Sequence, residues 1–64
     1  MSTQIYTADD LRDFLKSLDE SEVQVTDWEA QFLEGNLDEI AFSPKQRKSI
    51  LLMIEKYGQR IGWL

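Results

Sequence analysis

The chain has 64 residues, 42% of them hydrophobic, a net charge of −5, and neither Cys nor His. A chain of about 60 residues buries only ~60% of the surface it exposes unfolded, so one domain with a thin stability margin is expected. Without Cys or His, disulfides, thiolate zinc sites and histidine metal sites are excluded, and packing must hold the fold.

The first helix start is written at Thr7, whose hydroxyl can accept from the Asp10 amide while Asp9 and Asp10 face the positive end of the helix dipole. Tyr6 and Leu11 are placed to form a hydrophobic staple. Leu11, Phe14, Leu15 and Leu18 then fall at i, i+3, i+4 and i+7, one apolar stripe, which predicts a helix over 8–18. Residues 19–25 are acidic, with β-branched side chains only at Val23 and Val25, and read as a loop.

Thr26 and Glu29 make a capping box that opens a second helix. We expect it to run through Gly35 and Asn36 to residue 39 rather than stop in a left-handed cap. Trp28 and Phe32 lie on one arc of this helix and Leu33, Leu37 and Ile40 on another, leaving Glu34 and Asp38 for water. Such a helix should touch two neighbours.

The third start is the strongest: Ser43 as cap, Pro44 at the first position where its missing N–H costs nothing, and Gln46 closing the box. Ile50, Met53, Ile54 and Tyr57 continue one face, predicting a helix over 44–57 ended by Gly58. The tail Ile61, Gly62, Trp63 and Leu64 is apolar enough to dock back onto the core, whereas an exposed Trp63 would join a contact surface. No internal repeat or linker interrupts the chain. The expected architecture over 1–64 is all-α, a compact three-helix domain with an apolar C-terminal tail.

The longest apolar run, residues 50–54, is far short of the roughly 18 residues of a membrane helix, and no basic start followed by an apolar stretch opens the chain. A cytoplasmic, unprocessed protein without membrane contact is expected. Charge is polarised along it. Residues 1–40 hold 11 of the 12 acidic residues, for a net −9, and residues 41–64 hold five of the seven basic ones, for a net +4. That polarity is a handle on association.

Catalysis would have to use carboxylates, Lys, Tyr or hydroxyls, and none of these converges by spacing, so no enzyme and no cofactor is expected. Asp9, Asp10 and Asp13 do not match a calcium loop and read as a solvated first turn, Asp9 facing Arg12 and Asp13 facing Lys16, with no metal. No glycine-rich phosphate loop is present. Lys45, Arg47 and Lys48 occupy the first turns of the third helix, where the dipole disfavours cations by about a few tenths of a kcal/mol each. An external anion such as a nucleic-acid phosphate would offset this, but compensation by carboxylates on the first two helices, or mere solvation of the cations, is the favoured reading in so acidic a chain.

Leu52 lies opposite Ile50 and Ile54, between Lys45, Lys48 and Lys56. The favoured reading covers it with the first helix or the Trp63 tail. The alternative makes it the apolar centre of an interface with a lysine rim and an acidic partner. A further reading takes Asp9, Asp13, Asp19, Glu20, Glu22, Asp27, Glu29, Glu34, Asp38 and Glu39 as an imitation of a phosphate row, although they are spread over two helices and a loop.

The stretch T-D-W-E-A-Q-F-L at 26–33, followed by F-S-P-K-Q-R at 42–47 and E-K-Y-G at 55–58, resembles a W-E-x-x-F-L then S-P-K-Q helical hairpin of small bacteriophage and mobile-element proteins. A similar S-x-K-Q helix start recurs in phage proteins of DNA replication and recombination. The resemblance covers 26–58, about half the chain, and rests on caps and core positions, so it speaks to fold more than to activity and carries over no functional residue. It implies a short phage-type protein acting on or beside nucleic-acid machinery.

The expectation is therefore a non-enzymatic phage-like protein that binds and modulates or inhibits a host protein of nucleic-acid metabolism or defence, in the host cytoplasm. Its contact residues would be Lys45, Arg47, Lys48, Leu52, Lys56 and Trp63, or the opposing acidic surface. An accessory nucleic-acid-binding module using Lys45, Arg47 and Lys48 is the second reading, and an acidic nucleic-acid mimic the third. Homodimer formation through the face carrying Leu52, Trp63 or Leu64 is a further expectation.

Overall fold

Three helices, α1 (Ala8–Glu20), α2 (Asp27–Asn36) and α3 (Pro44–Tyr57), make up a computed structural model that describes residues 6–64. No strand occurs among the described residues. Each helix opens with a reciprocal box. Thr7 pairs with Asp10 at 3.1 and 3.0 Å, Thr26 with Glu29 at 3.1 and 2.8 Å, and Ser43 with Gln46 at 3.2 and 2.7 Å. Replacing such a cap by alanine typically costs about 1 kcal/mol, so the starts are held by local chemistry before any tertiary contact forms.

The apolar stripe of α1 is the centre of the molecule. Leu11, Phe14, Leu15 and Leu18 are all buried, joined by Leu33 of α2, Phe42 of the connection, and Ile50, Met53, Ile54 and Tyr57 of α3. Burying a side chain of this kind stabilises by about 1.5–3 kcal/mol, and nearly every such gain here involves α1 or α3. α1 runs two residues past its expected end, to Glu20, and the Ser21 hydroxyl closes it by donating to the Leu18 carbonyl at 2.7 Å.

α2 is shorter than expected. It stops at Asn36 rather than 39, and neither Gly35 nor Asn36 has positive φ, so no left-handed cap is used. The Asn36 amide donates back to the Phe32 carbonyl at 2.7 Å, and its oxygen accepts from Gln46 Nε2 at 2.9 Å, pinning the helix end to the start of α3. Beyond it, the Arg12 guanidinium donates to the Glu39 carbonyl at 2.8 Å. With this anchor the backbone no longer needs a further helical turn, and Ile40 is left 86% exposed instead of continuing the Leu33 arc.

The tail docks back, as one of the two expectations had it. Trp63 and Leu64 N–H groups both donate to the Gly58 carbonyl, at 2.8 and 3.2 Å, across a turn in which Gly62 adopts φ +74°. Trp63 packs on Tyr6 and edge-on against Phe14, ring centroids 5.5 and 5.2 Å apart. Its indole N–H donates to the Asp13 carboxylate at 3.0 Å. No helix among the described residues is long and apolar enough to cross a membrane.

Candidate functional site

α1 packs against both other helices, but α2 and α3 make no close backbone approach to each other. Among the described residues, the hydrogen bonds across the third edge of the bundle lie at its two ends. At one end Asn36 meets Gln46; at the other Glu29 meets Tyr57 and Lys56. Since the end of α2 lies by the start of α3 and the start of α2 by the end of α3, the two run antiparallel with an open groove between the links.

Glu29 forms the second link and is only 7% exposed. One carboxylate oxygen accepts from the Tyr57 hydroxyl at 2.6 Å and from the Thr26 N–H at 2.8 Å, and the other faces Lys56 Nζ at 3.3 Å. Burial pushes its pKa up; the Tyr57 hydroxyl, the Thr26 N–H and the Lys56 ammonium outweigh that and hold the carboxyl down at about 2. The Tyr57 hydroxyl and Glu29 together raise the pKa of Lys56, whose ammonium sits 5.1 Å from the Tyr57 ring centroid.

Two recesses lie along the groove. Trp28, Phe32, Ser43, Lys45, Gln46 and Ser49 line the first. Trp28, Glu29, Ser49, Leu52, Met53 and Lys56 line the second, so Trp28 and Ser49 form the ridge between them. Trp28 stacks on Phe32 with ring centroids 5.2 Å apart and planes 24° from parallel, yet is 59% exposed. Beyond Leu52 a third recess is lined by Tyr6, Lys48, Leu51, Leu52, Ile54 and Glu55.

Leu52 itself is 58% exposed. The expectation that α1 or the tail covers it is therefore corrected: α1 takes the opposite face of α3, carrying Ile50, Met53, Ile54 and Tyr57, and Trp63 is occupied by Tyr6 and Phe14. Lys45 and Lys48 are exposed and make no ion pair among the described residues, so of the two internal readings it is solvation, and not carboxylates of the first two helices, that these lysines meet. Arg47 turns inward and donates to the Tyr6 carbonyl at 2.6 Å. Lys56 alone finds a carboxylate, on Glu29. Asp9 pairs with Arg12 as expected. Asp13 is not paired with Lys16 and accepts from Trp63 instead.

The structure thus brings Lys45, Leu52 and Lys56 to one groove, sets Lys48 just across Leu52, and takes Arg47 and Trp63 into intramolecular contacts. Trp28 was missed as a surface residue and Phe32 as its half-buried support, although their separation from the Leu33 arc was the signal available. Among the described residues no group of three or more acidic side chains is arranged to hold a metal ion. Comparison of the chain with known protein families, curated proteins and solved structures finds no match.

Proposed function

We propose that this chain is a non-enzymatic binding module of phage type, which grips a host protein of nucleic-acid metabolism or defence through the α2–α3 edge and modulates or inhibits it. The supporting observation is Trp28, 59% exposed and stacked on a half-buried Phe32, opposite an exposed Leu52 and flanked by Lys45 and Lys48, which make no ion pair among the described residues. Interfaces concentrate their energy in aromatic and aliphatic anchors surrounded by a polar rim, and the exposed Trp28 and Leu52 lie outside the core cluster. The nucleic-acid setting rests only on the sequence resemblance over 26–58.

Affinity capture from a nuclease-treated bacterial lysate tests this reading. A partner should be retained by the wild type and lost with Trp28→Ala or Leu52→Glu, both of which should keep the helical circular dichroism spectrum. Equal capture by all three proteins would refute the assignment to this face.

The second reading, a nucleic-acid module, draws on Lys45 beside a base-sized aromatic stack. With Arg47 and Lys56 engaged, two lysines remain for phosphates. On that reading binding to single strands should weaken by a log–log salt slope of about −1.4, from ~0.7 per phosphate contact. Absence of binding at low salt removes it.

A further inference from the structure

We infer that the α2–α3 groove takes an acidic amphipathic helix from the partner, with two of its apolar side chains straddling Trp28 and its carboxylates reaching Lys45 and Lys48. This deepens the binding-module reading and rests on it. The shape argues for a helix. The two recesses share Trp28 and Ser49, and their remaining α3 residues, Lys45 and Gln46 in one and Leu52, Met53 and Lys56 in the other, place them about two turns apart, or ~12 Å along α3. That is close to the spacing of residues i and i+7 on a docked helix, the mode by which an amphipathic helix lies in a groove between two others.

Charge selects the partner's sign. The molecule carries −5 overall, yet the cations flanking this groove, Lys45 and Lys48, make no ion pair among the described residues. An acidic rim on the incoming helix satisfies them, whereas a basic one would meet like charge. A second copy of this chain is a poor occupant. Its own acidic amphipathic helix, α1, has its apolar stripe of Leu11, Phe14, Leu15 and Leu18 fully committed to the core. A two-fold pairing about Leu52 would set Lys48 against Lys48. A nucleic acid would find only these two unpaired cations at the groove, among the described residues.

The probe is an acetylated peptide of about 15 residues with Leu at helical spacing and Glu on both flanks, together with a version carrying Lys in place of Glu. Titration is followed by the indole N–H signals of Trp28 and Trp63 in nitrogen-15 spectra of the intact protein. The Glu peptide should shift Trp28 and leave Trp63 in place, and the Lys peptide should bind at least about tenfold more weakly. Lys45→Glu/Lys48→Glu should reverse that preference, which a variant that merely failed to fold would not do. Equal binding of both peptides, or no movement of Trp28 by either, overturns the acidic-helix inference. A shift of Trp28 by oligothymidylate alone, or a concentration-dependent shift without any ligand, overturns it in favour of nucleic acid or self-association. If lysate capture is lost in Trp28→Ala while the Glu peptide leaves Trp28 unmoved, the inference falls and the binding face stands; if capture is also insensitive to Trp28, both fall.

Discussion

Glu29 shows how one residue can hold a second job beside the one the sequence displays. In the sequence it is a capping-box partner and one of many acidic residues, and the cap is present, but its carboxylate also bridges α2 to α3 through Tyr57 and Lys56. In Gln the side-chain oxygen can still accept from Tyr57 and Thr26, but those bonds lose their charge and an NH2 group faces the Lys56 ammonium, so Glu29→Gln should cost about 1–3 kcal/mol in denaturant unfolding. Its pKa is lowered on folding, from 4.5 to about 2. Its contribution is therefore complete above about pH 4.5 and is lost as pH falls toward 2. Urea midpoints measured across that window should drop for the wild type and drop less for Glu29→Gln. An equal drop in both would assign acid sensitivity to other carboxylates.

Glycine roles at the C-terminal turn are equally specific. Gly62 sits at φ +74°, where an L side chain costs roughly 1–2 kcal/mol. At Gly58 the obstacle is space, because an added Cβ would lie 2.5 Å from the Ile54 carbonyl oxygen and 2.8 Å from the Leu64 side chain. Gly58→Ala should release the tail, and Trp63 emission should then shift to the red, as its contacts with Phe14 and Tyr6 are lost. Unchanged emission with unchanged stability would show that the turn tolerates a side chain there.

At the scale of elements, helix starts were legible and helix neighbours were not. Thr7, Thr26 and Ser43 are all caps because capping is a contact over three residues and needs nothing from the rest of the fold. The end of α2 depends on Gln46 and Arg12, ten and 24 residues away from Asn36, and no local pattern announces either contact. Periodicity placed Trp28 and Phe32 on their own arc but could not say whether a neighbour exists to cover it. The same gap led Leu52 to be assigned a cover. These exposures make a simple contrast: Leu15→Ala should cost about 2–5 kcal/mol, whereas Trp28→Ala or Leu52→Glu should change stability by about 0.5 kcal/mol or less in either direction. A large loss from either surface change would mean that the α2–α3 edge is closed in solution.

Across the whole molecule, the charge halves read from the sequence do not neutralise each other. Only two ion pairs, Arg12 with Asp9 and Lys56 with Glu29, occur among the described residues, against a net charge of −5. Self-repulsion among the remaining carboxylates is exposed to solvent and is screened by salt. Moderate sodium chloride should therefore raise the melting temperature, by about 4–8 °C for each kcal/mol of repulsion relieved. A fall with salt would indicate that attractive pairs dominate. On the proposed reading, Lys45 and Lys48 are the cations at the α2–α3 groove that an acidic partner would recognise.

The central claim is that the fold packs one indole against its core and leaves the other out. Adding a soluble paramagnetic agent to the free protein and comparing attenuation of the two indole N–H signals tests it directly. Trp28, 59% exposed, should be attenuated more strongly than Trp63, which is half-buried, hydrogen-bonded to Asp13 and packed on Phe14. Equal protection of both would contradict the account, because it would mean that α2 closes over α3 and no groove is available to a partner.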